Sequence, residues 1–323
     1  MFRLAARITV GLLVLAAAAP FAQAQEYPSK PVRILIPWPP GGSNDIVGRL
    51  VAQKLTEITR QQFVVDNRGG ASGTIGSELV ARADPDGYTI MIHSATHVAN
   101  PHLFKKLPYD TLNDFVGITP LARQVGVLVV HPSLPVKSLK EFISLARARP
   151  GQIVYASSGN GSYVHLAMAL VGSMSKVKMT HVPYKGGGPA AISIVSGETQ
   201  AMLATIGSVM TQIKGGKLRP LAVTSEDRVK QLPQLPTIAE AGVPGYEFTA
   251  WIGAFAPART PAAIVKKLNA DFGKALADPG VAEKLSGQTL DPMTMSPEQF
   301  AKRLKSDYDK YGRLMKETGA RID

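Results

Sequence analysis

Four short stretches of this chain carry residues suited to holding an anion: 39–45, 94–97, 157–162 and 184–188. Between them they combine glycines, which let main-chain N–H groups approach a ligand closely, with serine and threonine hydroxyls that donate hydrogen bonds. Helices are expected to follow 39–45, 157–162 and 184–188, and a helix N-terminus adds free N–H donors and about half a positive charge. Singly, each stretch is an ordinary turn or cap. Four aimed at one cleft would bind a carboxylate without an arginine clamp. The candidate ligand-binding residues are Trp38, Gly41, Gly42, Ser43, Asp45, Ser94, Thr96, Ser157, Ser158, Asn160, Ser162, His165, Tyr184, Lys185 and Gly187, with Thr205 from a further turn at 205–208. Trp38 reads as a wall of the pocket. Asp45 either favours the dipole of the helix it opens or accepts from a ligand hydroxyl or ammonium. Lys185 either supplies a full charge or points to solvent, and His165 either reaches the cleft or packs.

Other chemistries fit poorly. Gly159-Asn160-Gly161 begins a dinucleotide fingerprint, but Val164 holds the third glycine position, and Gly216-Lys217 lacks the upstream glycine of a phosphate loop. Gly70-Ala71-Ser72-Gly73 falls one residue short of a nucleophile elbow. A hydrolase built on Ser158 or Ser162 with His165 would need an acid to orient the histidine, and these loops offer none. His93 and His97 are four apart, but they read as loop residues with no carboxylate nearby, so no metal site and no cofactor is expected.

The elements that must position these loops alternate. An apolar stretch at 31–38 leads through Pro39-Pro40-Gly41-Gly42 into a helix marked by Val47, Leu50, Val51 and Leu55. The unit recurs at 62–83, at 152–173 and at 178–189, which predicts α/β lobes with mostly parallel sheets. Residues 115–131 are almost continuously apolar, too long for one ordinary strand, and read as a crossing between two lobes. Residues 248–257 read as the return, with helices at 261–277 and 297–317 packing back on the first lobe. The predicted division is residues 25–124 with 249–323 as lobe 1 and 125–248 as lobe 2. In open α/β sheets the ligand lies beyond the carboxyl ends of the strands, where the four loops gather.

Arg3 and Arg7 precede an apolar run at 8–19, Pro20, and Ala22-Gln23-Ala24, which predicts a secretory signal cleaved after Ala24. The run is shorter than the ~20 residues that span a bilayer. The chain has no cysteine, which excludes disulfides and a lipid-modified N-terminal cysteine. Lys and Arg total 36 against 24 acids; without Arg3 and Arg7 the balance is 34 against 24, or +10, suited to collecting anions. No basic run with interleaved aromatics points to nucleic acid.

Longer motifs carry a resemblance over nearly the whole chain. Tyr27-Pro28 with Pro31-Val32-Arg33, Trp38-Pro39-Pro40-Gly41-Gly42 with Asp45, and the run from Ser157 through Ser162 with His165 are among them. Val182-Pro183-Tyr184-Lys185 through Ala190 and Leu235-Pro236-Thr237 through Gly242 complete the set. In these the chain resembles the Bug family, periplasmic solute-binding receptors of tripartite tricarboxylate transporters. The resemblance implies a type II periplasmic binding protein: two α/β lobes joined by two crossing strands, closing on a small organic acid with no cofactor. It implies a non-enzymatic, monomeric receptor whose partners are integral membrane permease subunits. By motif position it points to Gly41, Gly42, Ser43 and Asp45 and to Ser157, Ser158, Asn160 and Ser162. Two departures stand out: Trp38 where many members carry another aromatic near the first loop, and Ala204-Thr205 where an acid often follows the strand. A sensor acting on a membrane partner would share the same capture chemistry.

Overall fold

The computed structural model describes residues 27–318, so the expected signal sequence lies outside the described residues. Strand β1 (Val32–Ile36) is almost wholly buried and feeds helix α1 (Ser43–Thr59), which buries Val47, Val51 and Leu55 at four-residue spacing against it. The pattern repeats through β2 (Phe63–Asn67), α2 (Thr74–Ala81), β3 (Thr89–Ser94) and α3 (Thr96–Leu103). Strands β4 (Phe115–Gln124) and β5 (Gly126–Val130) follow, then α4 (Leu139–Ala148), β6 (Val154–Ser157), α5 (Tyr163–Ser175), β7 (Thr180–Pro183) and α6 (Gly187–Val195). Strand β8 (Ala201–Thr205), α7 (Ile206–Lys214) and β9 (Arg219–Val223) complete the second lobe's pattern. The chain returns in β10 (Ala250–Pro257), α8 (Ala262–Ala277), α9 (Pro279–Gly287), β11 (Leu290–Pro292) and α10 (Pro297–Thr318).

Two sheets result, a six-stranded one in the order β11-β4-β10-β3-β1-β2 and a five-stranded one in the order β7-β6-β8-β5-β9. They are mixed, which corrects the expectation of mostly parallel sheets. β1 pairs parallel with β2 and β3, and β6 with β7 and β8, as successive βαβ units require. But β10 runs antiparallel to β3 and β4, and β5 antiparallel to β8 and β9, because a chain that crosses between lobes enters each sheet from the opposite end.

The long apolar stretch at 115–131 is two strands in different sheets, and the break falls at Val125. The two crossings run side by side. Gln124 pairs with Ala250 in the first sheet, while the Thr224 N–H donates to Gly126 O at 3.0 Å and the Phe248 N–H to Thr224 O at 3.1 Å in the second. Residues 205–208, expected as a turn, instead open α7: Gly207 and the β-branched neighbours hid its short periodicity. His93 and His97, expected in a loop, are the penultimate residue of β3 and the second residue of α3.

One apolar cluster is continuous across both lobes, joining Leu35, Met91 and Leu103 to Leu128, Phe142 and Tyr163. Helix α10 packs on β4 and α3 and also on α5 of the second lobe. The Trp251 indole N–H donates to the buried Asp307 carboxylate on α10 at 2.7 Å, and Arg303 donates to the same oxygen at 2.7 Å. Among the described residues no helix is long and apolar enough to cross a membrane.

Candidate ligand-binding site

A cavity of about 470 Å³ lies where the two lobes face each other. The first lobe contributes residues 38–44, Ile46, Ser94, Thr96 and Gln124. The second contributes Ser158, residues 162–164 and 185–189, Met202, Thr205, Gly207 and Ser208, and the returning chain adds Gln288 and Leu290. Most of these residues stand at the carboxyl ends of strands or the first turns of the following helices, where the strand direction delivers them.

Four helices begin at this cavity without a side-chain cap. The N-cap positions of α1, α3, α6 and α7 are Gly42, Ala95, Gly186 and Thr205, and none accepts from its own helix. Helix α5 also starts at the cavity but is capped: Ser162 Oγ accepts from the His165 N–H at 3.4 Å and donates to Gly159 O at 2.7 Å. Helices α4 and α9 start away from the cavity, capped by Ser138 and Asp278. Helices α2 and α8 also start uncapped elsewhere, so the feature that matters is convergence: two open N-termini from each lobe present N–H donors and partial positive charge to one volume. Hydroxyls of Ser43, Ser94, Thr96, Ser158, Ser162, Thr205 and Ser208 and the amides of Asn44, Gln124 and Gln288 stand among them. Lys185 is the one charged side chain in the lining, and no acid lines it among the described residues. Trp38, Ile46, Val164, Met202 and Leu290 give the apolar walls. The arrangement suits an organic anion with an apolar body.

Behind this lining, three networks hold it in place. Asp45 is 4% exposed and faces inward. Its carboxylate accepts from the Gly41 N–H at 2.9 Å, from Arg49 Nε at 3.0 Å and from Asn67 Nδ2 at 3.0 Å. Burial pushes its pKa up, but these hydrogen bonds and the Arg49 charge outweigh burial and hold it below the usual carboxylate range. Asn67 also donates to Trp38 O at 3.0 Å, so one carboxylate and one amide pin both ends of the proline–glycine loop. The Trp38 indole N–H points to His93 Nδ1 at 3.3 Å, with the two rings edge to face. In the second lobe, His165 and His181 stack behind the serine-rich loop.

Of the residues expected from the sequence, Trp38, Gly41, Gly42, Ser43, Ser94, Thr96, Ser158, Ser162, Lys185, Gly187 and Thr205 line the cavity. Asp45, Ser157, Asn160, His165 and Tyr184 do not. Ser157 is fully buried, and its Oγ lies 2.6 Å from His181 Nε2. Asn160 meets the first lobe through its carbonyl, which accepts from Ser72 Oγ at 2.9 Å. His165 Nδ1 accepts from the Gly161 N–H at 3.0 Å. The Tyr184 N–H donates to Ser157 O at 2.9 Å, and its ring packs on the second lobe's core. Sequence reasoning missed Ile46, Gln124, Tyr163, Val164, Pro189, Met202, Gly207, Ser208, Gln288 and Leu290, and within its own loops it did not single out Pro39, Pro40, Asn44, Gly186 or Gly188. Gln124 left a signal, a polar side chain inside an apolar crossing. Gln288 left none: it reaches the site by packing on Gly207, where an added Cβ would lie 2.6 Å from its Oε1. Among the described residues no three histidines or acids cluster to hold a metal ion.

Two α/β lobes linked by adjacent crossings around an anion-suited cavity define a solute-binding receptor. Residues 47–320 match the tripartite tricarboxylate transporter family receptor. The chain belongs to that family. It is similar to the protein BugT of Bordetella pertussis, 33% identical over 324 residues, with 100% of this chain and 99% of BugT covered. An R. palustris protein solved with adipate has a TM-score of 0.88 and 35% identity, covering 92% of this chain and 100% of that one. MatC from Rhodopseudomonas palustris, solved with bound malate, has a TM-score of 0.82 and 30% identity, covering 89% of this chain and 99% of that one. That family is one of receptors, and the chain is a receptor, not an enzyme.

Proposed function

We propose that this receptor captures a small organic carboxylate between lobes formed by residues 25–124 with 249–323 and by residues 125–248. It acts as a monomer in the periplasm, after cleavage near Ala24, and delivers the acid to integral membrane permease subunits. The observation that carries this reading is the convergence of two uncapped helix N-termini from each lobe on a cavity rich in hydroxyls, with one cation and no acid in its lining. The relatives solved with adipate and malate support a carboxylate.

The acid-free lining also sets a direction within the class. An ammonium group would be desolvated there without a counter-carboxylate, which costs more than the remaining contacts return. A thermal-shift and calorimetry panel of malate, adipate, 2-aminoadipate, citrate and benzoate tests both points. A bound acid at a hundred times its Kd adds ~2.7 kcal/mol to the unfolding free energy. Adipate should bind more tightly than 2-aminoadipate. Failure of every acid to raise the melting temperature would overturn the reading.

A further inference from the structure

Two histidines that do not line the cavity hold the loop that does. His165, in the first turn of α5, and His181, on β7, stack with ring centroids 4.0 Å apart and planes 8° from parallel. Tyr155 lies near-parallel to both, at 6.5 Å from His165 and 4.9 Å from His181. Each histidine grips the serine-rich loop at a different point. His165 Nδ1 accepts the Gly161 N–H at 3.0 Å, and His181 Nε2 lies 2.6 Å from Ser157 Oγ. Ser157 Oγ in turn spans to Gly159, 3.1 Å from its carbonyl and 3.2 Å from its N–H. Residues 157, 159 and 161 are therefore tied inward, while Ser158 and Ser162 line the cavity.

The Ser157–His181 hydrogen bond forms with either tautomer: Ser157 Oγ donates when His181 carries its proton on Nδ1 and accepts when the proton is on Nε2, and Gly159 O also takes the Ser162 hydroxyl proton at 2.7 Å. His165 accepts at Nδ1, so its proton is on Nε2. His165 is neutral in this arrangement, since a proton on its Nδ1 would face the Gly161 N–H. Burial, with His181 alongside, lowers His165 to about 3, and burial lowers His181 to about 4.

We infer that His165 and His181 are positioning residues of the ligand site, setting Ser158 and Ser162 at the cavity through Ser157 and Gly161 while neither ring touches the ligand. The inference rests on the carboxylate-receptor reading for its effect on affinity, but not for its effect on the loop. It gives Ser157 and His165 a role other than ligand contact, and it adds His181, on which no motif drew attention.

The test separates a hydrogen-bonding device from a simple packed stack. His181→Phe keeps a ring in the stack and removes only the contact to Ser157; His181→Gln places an amide N–H near the position of Nε2. In the ligand-free protein, hydrogen exchange at the amides of 157–163 should quicken in His181→Phe and return toward wild type in His181→Gln. With adipate as probe, Ser157→Ala and His181→Phe should each weaken Kd about three- to tenfold, and the double variant no more than either alone. Unchanged exchange in His181→Phe, or losses that add, would overturn the inference. If no acid of the panel binds wild type, the carboxylate-receptor reading fails, while the exchange comparison still decides the role of the histidines.

Discussion

Lys185 is exposed at the edge of the cavity, a setting in which solvent weakens a charge pair. Ser158 and Ser162 stand deeper, the latter 3% exposed. Losing one hydroxyl bonded to a carboxylate costs roughly 1.5–3 kcal/mol, about ten- to a hundredfold in affinity. Removing an exposed cation costs about 1 kcal/mol or less. The Ser162 hydroxyl proton is held by Gly159 O at 2.7 Å, so Ser158 is the cleaner probe. Calorimetric titration with adipate should therefore rank the loss in Lys185→Met below that in Ser158→Ala; a Lys185→Met loss above it would make charge the principal grip. At this scale the sequence was most informative where composition itself is the chemistry. Gly42 and Gly187 announce main-chain donors, and Trp38 leading into the first of them announces a wall. Asp45 and Ser157 carry equally good ligand chemistry by type, but their partners, Arg49, Asn67 and His181, decide which way they face. A side chain's direction is set by tertiary partners, so type and spacing could not separate the residues that line the cavity from those that support it.

Helix α5 and the loop before it show how closely the two lobes approach. Gly161 has φ +69°, and a Cβ there would lie 1.8 Å from Leu103 Cδ1 on α3 of the first lobe. Gly161→Ala meets both the left-handed backbone penalty, about 1–3 kcal/mol, and that collision. It should lower the urea midpoint, and pairing it with Leu103→Ala should cost less than the sum of the two single changes, because the truncated leucine removes the collision. Equal additive losses would mean the loop shifts to avoid Leu103. Element existence was largely legible: βαβ alternation gave the helices after 42, 162 and 186 from glycine, serine and apolar spacing. The antiparallel strands were not, because direction in a sheet depends on which end of the lobe a crossing enters. Helix α7 was hidden for a different reason. It buries only Ile206 and Val209 and lacks a side-chain cap, so it offered neither a long apolar stripe nor a start signal.

Taken whole, five histidines among the described residues, His102 included, are buried or half-buried with pKa values lowered by burial. Burial drives His93 well below its ordinary value, His97 and His165 to about 3, and His181 to about 4. Their folded pKa values lie below the unfolded value of about 6.5, so between the two the unfolded chain binds more protons and stability rises with pH. The contribution is full above about pH 6.5 and is lost as pH falls toward 4. Depressed carboxylates such as Asp45 and Asp66 add their own losses below about pH 4. Urea midpoints measured from about pH 7 to 4.5 should fall steadily, and a His165→Phe, His181→Phe variant should show a shallower fall; a flat wild-type profile would contradict the neutral-histidine assignment. The apolar cluster shared by the lobes predicts one cooperative unfolding transition by calorimetry, where two separable transitions would show independent lobes. The paired crossings have a mechanical consequence as well. One link is the single residue Val125, and its neighbour passes through Phe248 and Thr249 alongside it. Two rigid plates joined by a pair of pins this short can fold about the line between the pins, but they can hardly slide or swivel. The relative motion thus has close to a single degree of freedom, and the jaw that meets a ligand comes back to the same bite each time.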